Sequence, residues 1–245
     1  MILYEKKKEA LKIKQEIHFI DAAYVNGYFW TSALEWNGFY RVDMKNKEAK
    51  LLGFFEHANV FSNKLFYQVL AYGKAVFFIP WFSDYLVKID TETLAAKYWK
   101  LPKKILSEIA KFRTANIYNK KIFMFPHTGI DICIFDIEKE LFECDNTWFE
   151  EVDSKIEKYQ NDRFIQGYQN DNIVYLPSLC GSYLLKCDLR INKYKIIKFP
   201  ENEKKIVDIK EQGENKFLIL TWKGNVWKYN VRPCLSLRGL RSAPS

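Results

Sequence analysis

The chain lacks the residue patterns that mark a catalytic or metal centre. Histidine is scarce: His18, His57 and His127 are widely spaced, and no HExxH or comparable ligand spacing occurs. The ten glycines form neither a GxGxxG pattern nor a P-loop that could cradle phosphate. Nothing marks Ser178 or Cys180 as a nucleophile beside an activating base. The sequence therefore favours a protein without enzymatic activity, and it indicates no catalytic residue, metal or cofactor.

Paired cysteines and long apolar runs are also missing. The five cysteines include no CxxC pair, and Cys133 and Cys187 lie within apolar strand patterns, so we expect free thiols in a reducing compartment. No window approaches ~20 apolar residues, so we expect no membrane span. No apolar stretch of about 7–15 residues follows the N-terminal charges, so no signal peptide is visible. These absences predict a cytoplasmic protein.

Positive charge is concentrated at the two ends of the chain. The net charge is +8, of which residues 1–14 contribute +3 and residues 232–245 another +3, leaving +2 for the sequence between them. A nucleic-acid-binding surface would carry a stripe of Lys and Arg with interleaved aromatics. Here the lysines are scattered and often alternate with apolar residues, as Lys193, Lys195 and Lys198 do. This distribution indicates solvated outer strands and argues against a specific nucleic-acid partner.

The chain does contain a repeat. Five related segments occur, at residues 26–43, 73–90, 119–136, 170–188 and 214–230. The residues that close them are Asp43, Asp90, Asp136, Asp188 and Asn230, at spacings of 47, 46, 52 and 42 residues. A drifting period of about 40–50 residues built from short apolar strands is typical of a β-propeller.

Each repeat predicts one four-stranded antiparallel sheet, or blade. In the second repeat, apolar strands are separated by the turn Gly73-Lys74, by the stretch Pro80–Ser83 and by a turn that begins at Asp90. Asp43, Asp90, Asp136 and Asp188 are interpreted as turn-forming residues, because an Asp side chain can accept hydrogen bonds from the backbone amides that follow it. The predicted blades are residues 15–55, 64–101, 111–144, 163–199 and 205–231.

The two ends of the chain do not fit the repeat. Residues 1–14 predict a basic N-terminal helix or a strand extension. Before residue 232 the chain has 31 Lys and 4 Arg, whereas residues 232–245 have three Arg and no Lys, so we expect a disordered tail of foreign composition. Because the fifth repeat has only three strands, one hypothesis is a truncated propeller. The alternative is ring closure, with residues 12–18 as the fourth strand of the last blade.

The repeats resemble the β-propeller superfamily, which includes kelch-type, Trp-Asp-repeat and quinoprotein-type propellers. The similarity covers about residues 15–230 and is clearest in YLVKIDTET at residues 85–93. The kelch Gly-Gly doublet and the Gly-His…Trp-Asp signature are absent, so the resemblance is kelch-like or Trp-Asp-repeat-like without a subfamily motif. It implies an all-β propeller of about five four-stranded blades, the last one incomplete.

Loops that join the second strand to the third share one face of a propeller, and here they carry aromatic or imidazole side chains. Trp36, Trp81, His127 and Trp222 are therefore predicted to form a ligand-binding rim, since exposed Trp can stack on ligands and contact cations. Alternatively, each Trp packs over its own hairpin. The leading hypothesis is a non-catalytic module that binds a protein or peptide. The alternatives are a carbohydrate-binding or carbohydrate-active propeller and a fragment without a function of its own.

Overall fold

The computed structural model describes residues 16–129, 131–145, 164–179, 181–199, 205–213 and 216–230. The predicted N-terminal extension at residues 1–14 and the tail at residues 232–245 lie outside these residues. The regular secondary structure of the described residues is nearly all β-strand, with a single short helix, α1 (Lys103–Leu106). None of the described helical structure is long and apolar enough to cross a membrane.

Consecutive strands pair antiparallel to give five sheets within the described residues. The first sheet contains β1 (Ala23–Val25), β2 (Tyr28–Ser32), β3 (Phe39–Asp43) and β4 (Glu48–Gly53). The second contains β5 (Phe66–Tyr72), β6 (Ala75–Pro80), β7 (Tyr85–Asp90) and β8 (Ala96–Lys100). The third contains β9 (Phe112–Tyr118), β10 (Lys121–Pro126), β11 (Ile132–Asp136) and β12 (Leu141–Asp145).

The last two sheets follow the same order. The fourth contains β13 (Tyr168–Asn170), β14 (Ile173–Pro177), β15 (Tyr183–Asp188) and β16 (Lys193–Lys198). The fifth contains β17 (Ile206–Gly213), β18 (Lys216–Thr221) and β19 (Val226–Asn230), and is three-stranded in the described residues. The predicted all-β architecture of about five blades, with a shorter last blade, is confirmed.

The first strands of successive blades lie side by side, and the core fills the gaps between blades. Strand β1 contacts β5, β5 contacts β9, and β13 contacts β17. Between the first two blades, Trp30, Phe39, Phe55, Phe66 and Phe78 form one aromatic cluster. Further buried clusters lie between each later pair of blades. Large flat side chains suit this position because facing sheets are separated by roughly 10 Å.

Polar side chains on the lead-in or first strand of three blades accept hydrogen bonds from the next blade. Asp21 Oδ2 accepts from the amide of Val69 at 3.0 Å, and Gln68 Oε1 accepts from the amide of Ala115 at 2.6 Å. Thr114 Oγ1 accepts from the amide of Gly167 at 3.2 Å. Burial raises the pKa of Asp21, although backbone hydrogen bonds oppose the shift. These bonds satisfy amides on strand edges that no neighbouring strand pairs.

The repeated aspartates occupy turns between the third and fourth strands. The Oδ1 atoms of Asp43, Asp90 and Asp136 each accept from the amides two and three residues further on, at 2.8–3.1 Å. Asp188 Oδ1 accepts from the amide two residues on at 3.0 Å. This geometry is that of an Asx turn, in which the side chain holds the chain reversal.

The stability of the fold should therefore depend on pH in the acid range. The hydrogen bond from the amide three residues on is the main cause that lowers the pKa of Asp43, Asp90 and Asp136. A carboxyl whose pKa is lower in the folded state stabilises that state above the unfolded pKa of about 3.9, and this contribution is lost as the pH falls through the folded pKa. We expect the urea midpoint to fall as the pH drops below about 4.

Asparagine at the three positions provides the control. It keeps the accepting oxygen but does not titrate, so the triple variant D43N/D90N/D136N should show a flatter midpoint-against-pH curve. An unchanged slope in that variant would show that other groups control the acid sensitivity.

Candidate functional site

A residue at the start of the loop after the second strand has an equivalent backbone position in four of the blades. It is the first loop residue in three of them and the second in the first blade. Its amide donates to a carbonyl that precedes the first strand of the same blade, at 2.8–2.9 Å. The donor and acceptor pairs are Leu34 and His18, Trp81 and Leu65, His127 and Lys111, and Trp222 and Lys205. Three of the four predicted rim residues share this position, whereas the equivalent residue in the first blade is Leu34 rather than Trp36.

Trp36 belongs to the core of the first blade. Only 6% of its surface is exposed, and its ring makes edge contacts with Tyr40 at 6.1 Å and Phe54 at 5.8 Å. Ala33 and Val60 complete this small cluster. The prediction of Trp36 as an exposed ligand contact is therefore wrong, and the alternative that the ring packs over its own blade holds here.

Trp81 and His127 do come together. Their ring centroids are 6.0 Å apart at an interplanar angle of 80°. Trp81 is half-buried, whereas His127 is 4% exposed and thus packs beneath the surface instead of presenting its ring to solvent. Tyr67 and Phe82 lie against Trp81 with centroid distances of 5.1 and 5.0 Å.

Two β-bulges place further side chains at this point. In β5 the register passes from Phe66 to Gln68, and in β9 from Phe112 to Thr114, so Tyr67 and Arg113 are the extra residues of adjacent blades. A bulge redirects the side chain of the extra residue. The Arg113 guanidinium carbon lies 4.7 Å from the centroid of the Tyr67 ring. We call Tyr67, Trp81, Phe82, Arg113 and His127 the Trp81 cluster.

Two lysines border the Trp81 cluster. Lys64 is exposed, and its Nζ lies 5.9 Å from the Trp81 ring centroid. The Lys111 side chain is 5% exposed and its Nζ lies 3.1 Å from Asp84 Oδ1. The Lys111 amide donates to the carbonyl of Trp81, and its own carbonyl accepts from the His127 amide, both at 2.8 Å. The backbone of Lys111 thereby fixes the spacing of Trp81 and His127.

Carboxylates in the neighbouring loops are engaged with protein groups. Glu35 accepts from the His18 amide at 3.0 Å and contacts the His18 ring at 2.5 Å. Partial burial raises the pKa of Glu35, but the hydrogen bonds from His18 outweigh it and the pKa is lowered. Glu108 accepts from Thr128 at 3.1 Å, and Asp131 pairs with Lys104 at 2.5 Å. In the described ranges, no group of three or more His, Cys, Asp and Glu side chains could hold a metal ion.

Trp222 stands apart from this arrangement. It lies in the turn between β18 and β19, is 73% exposed, and has Lys205 Nζ 5.9 Å from its ring centroid. The four predicted rim residues therefore have different environments: Trp36 is buried, Trp222 is exposed, and Trp81 lies with His127 in the Trp81 cluster.

Tyr67 and Arg113 were not predicted from the sequence, although each lies one residue after a Phe that recurs at the repeat spacing, Phe66 and Phe112.

No protein-family model matches the chain, and no curated protein sequence matches it. Solved structures do resemble it. Virginiamycin B lyase from Staphylococcus aureus superposes with a TM-score of 0.61 at 11% identity, over 90% of this chain and 72% of the lyase. For U3-55K the TM-score is 0.63 at 6% identity, over 89% of this chain and 62% of that chain. The computationally designed protein Ika8 superposes with a TM-score of 0.53 at 8% identity, over 86% of this chain and 61% of the design.

The similar structures include β-propeller-type folds, and the chain adopts that fold. At these identities the likeness concerns the fold alone, because one fold supports many unrelated functions. The kelch-like or Trp-Asp-repeat-like assignment stays a prediction.

Proposed function

We propose that the protein is a non-catalytic binding module that uses the Trp81 cluster to bind a peptide segment of a protein partner. The observation that carries the proposal is the pair of adjacent bulges that bring Tyr67 against the half-buried Trp81 and Arg113 against Tyr67. Trp, Tyr and Arg are the residues that dominate the energetics of protein interfaces. Their arrangement on one side of a rigid sheet stack lowers the ordering cost of binding.

The charge of the site indicates the chemistry of the peptide. Lys64 brings an exposed cation to the Trp81 ring and Arg113 lies over the Tyr67 ring, whereas Asp84 is paired with Lys111. An apolar or aromatic residue next to a carboxylate would stack on Trp81 and pair with a cation. We infer an acidic peptide with at least one aromatic residue as the partner class.

We also propose that the protein is located in the cytoplasm. Cys133, Cys144 and Cys187 are free thiols. Free thiols of this kind are usual in reducing compartments, which supports a cytoplasmic protein.

Binding should depend on the Trp81 ring. The probes are an immobilised array of short peptides rich in Asp, Glu, Tyr and Phe, and a matched array in which Lys replaces each acid. We expect the acidic array to bind, and W81A to weaken the affinity for the best peptide roughly 30-fold or more, because truncating an interface hot spot costs about 2 kcal/mol or more. Fluorescence anisotropy of the labelled peptide measures the change.

The matched control is W222A, which removes an exposed Trp outside the cluster and should leave the affinity unchanged. Equal binding by W81A would overturn the proposal, as would equal binding of the acidic and lysine arrays. If neutral oligosaccharides bind through Trp81 and no peptide does, the site belongs to the carbohydrate-binding alternative, which the half-exposed Trp81 and the neighbouring Phe82 would also serve.

A further inference from the structure

We propose that Cys133 and Cys144 form a reversible disulfide across the two outer strands of the third blade, which makes this sheet a site of oxidative modification. The two residues are direct partners in the register of β11 and β12. Both are free thiols, and their sulfurs are 3.7 Å apart. This site is separate from the Trp81 cluster and does not depend on the proposed binding function.

The backbone geometry suits a disulfide. Directly opposed residues in antiparallel strands have Cα atoms roughly 4.5–5.5 Å apart, and disulfides occur at Cα separations of about 4.4–6.8 Å. The sulfurs must approach from 3.7 Å to about 2.05 Å. Small side-chain rotations can supply this movement, so both strands can stay in register.

The environments of the two sulfurs differ, and this difference makes Cys144 the sulfur that reacts with the oxidant and Cys133 the thiol that resolves it. Cys133 is fully buried, whereas Cys144 is only partly buried. The hydrogen bond between the sulfurs, together with burial, raises the pKa of Cys133. The same hydrogen bond lowers the pKa of Cys144, although its partial burial opposes this. Cys144 is therefore the more accessible and the more acidic of the two thiols.

Two charged side chains near the cysteine pair, Lys104 and Asp131, influence the pKa of Cys144. Lys104, beside Cys144, favours the thiolate there, and Asp131 opposes it, but these two groups form their own ion pair at 2.5 Å. A partly exposed thiolate with a second thiol in reach is the usual arrangement of an oxidation-sensitive cysteine and its resolving partner.

Hydrogen peroxide is the oxidant class we consider. The Cys144 thiolate attacks one peroxide oxygen, the O–O bond breaks, and a sulfenic acid and hydroxide form. The sulfur of Cys133 then attacks the Cys144 sulfur, the S–O bond breaks, and hydroxide leaves. The hydroxides take up the protons of the two thiols, so two thiols lose two electrons while peroxide is reduced to two waters. A dithiol reductant reverses the reaction by thiol–disulfide exchange.

The experiment uses the full chain carrying C180S and C234S, so that Cys133, Cys144 and Cys187 are its only thiols. The folded protein is treated with hydrogen peroxide and examined by intact mass and peptide mapping. We expect a loss of two hydrogens, a cross-linked peptide pair containing Cys133 and Cys144, and full reversal by dithiothreitol. Cys187 serves as an internal control, because it is completely buried and burial raises its pKa, so it should stay reduced.

Single substitutions test the assigned roles. C133S should leave Cys144 as a sulfenic acid that dimedone traps, and C144S should leave Cys133 unoxidised. Circular dichroism of each variant confirms that it is folded. Oxidation of Cys144 in the parent protein without the cross-link would overturn the proposal, as would a cross-link that appears only after unfolding in urea.

Discussion

Replacing Phe78 by alanine should lower the free energy of unfolding by about 3–5 kcal/mol, the usual cost of removing a buried Phe side chain. Phe78 is completely buried between the first two blades. Its ring contacts those of Phe55 at 5.0 Å, Phe66 at 5.7 Å and Phe39 at 6.4 Å. The cavity left by the change would separate rings that belong to two blades. Urea unfolding followed by circular dichroism measures the loss.

The same chemical change on the surface is the control for Phe78. Phe61 is 65% exposed, so F61A should shift the unfolding free energy by no more than about 0.5 kcal/mol. Similar losses in the two variants would show that burial of Phe78 between the blades does not stabilise the fold.

Replacing Gly167 by alanine should also destabilise the protein strongly, for the opposite reason. A Cβ atom at Gly167 would lie 2.7 Å from the carbonyl oxygen of Tyr175 and 2.8 Å from Leu176 Cδ2. The carbonyl belongs to strand β14 and cannot move without distorting the sheet, so we expect a loss of about 1–3 kcal/mol, as for other overpacked sites. The urea midpoint of G167A compared with that of the parent protein measures this loss.

Ala115 supplies the matched control, because its amide, like that of Gly167, donates to a polar side chain of the preceding blade. The reverse change, A115G, adds no atoms and creates no clash. It should cost about 1–2 kcal/mol, from the ordinary penalty for Gly within a strand and the loss of a buried methyl group. If G167A is as stable as the parent, the close approach of β14 to Gly167 is not present in the protein.

The strand order was predictable because short-range signals agree with one another. Turn residues such as Asn26-Gly27 and Gly73-Lys74 separate apolar runs at regular spacing, and both glycines adopt positive φ. The aspartates at Asp43, Asp90 and Asp136 act on amides only two or three residues away. Such local interactions do not depend on the rest of the fold, so the turns that they form can be predicted from the sequence alone.

The composition of the site was less predictable. The loop after β2 runs from Ala33 to Gly38, whereas the loop after β6 runs from Trp81 to Asp84, and the longer loop shifts Trp36 away from the position of Trp81. Tyr67 and Arg113 reach the cluster through bulges, which break strand alternation at a point that no turn residue marks. Contacts between blades join residues about 46 positions apart, as Tyr67 and Arg113 are, and such pairs cannot be matched from one sequence without knowing the register.

The role of the Trp81 cluster is tested most directly by following the tryptophan rings themselves during binding. The protein is labelled with 5-fluorotryptophan, the resonances of Trp81, Trp36 and Trp222 are assigned from W81F, W36F and W222F, and the best peptide of the acidic array is titrated in. We expect a saturable shift of the Trp81 fluorine resonance, with the resonances of the buried Trp36 and of Trp222, which lies outside the Trp81 cluster, unchanged. A shift confined to Trp222, or no peptide that moves the Trp81 resonance, would contradict the assignment of the Trp81 cluster as the binding site.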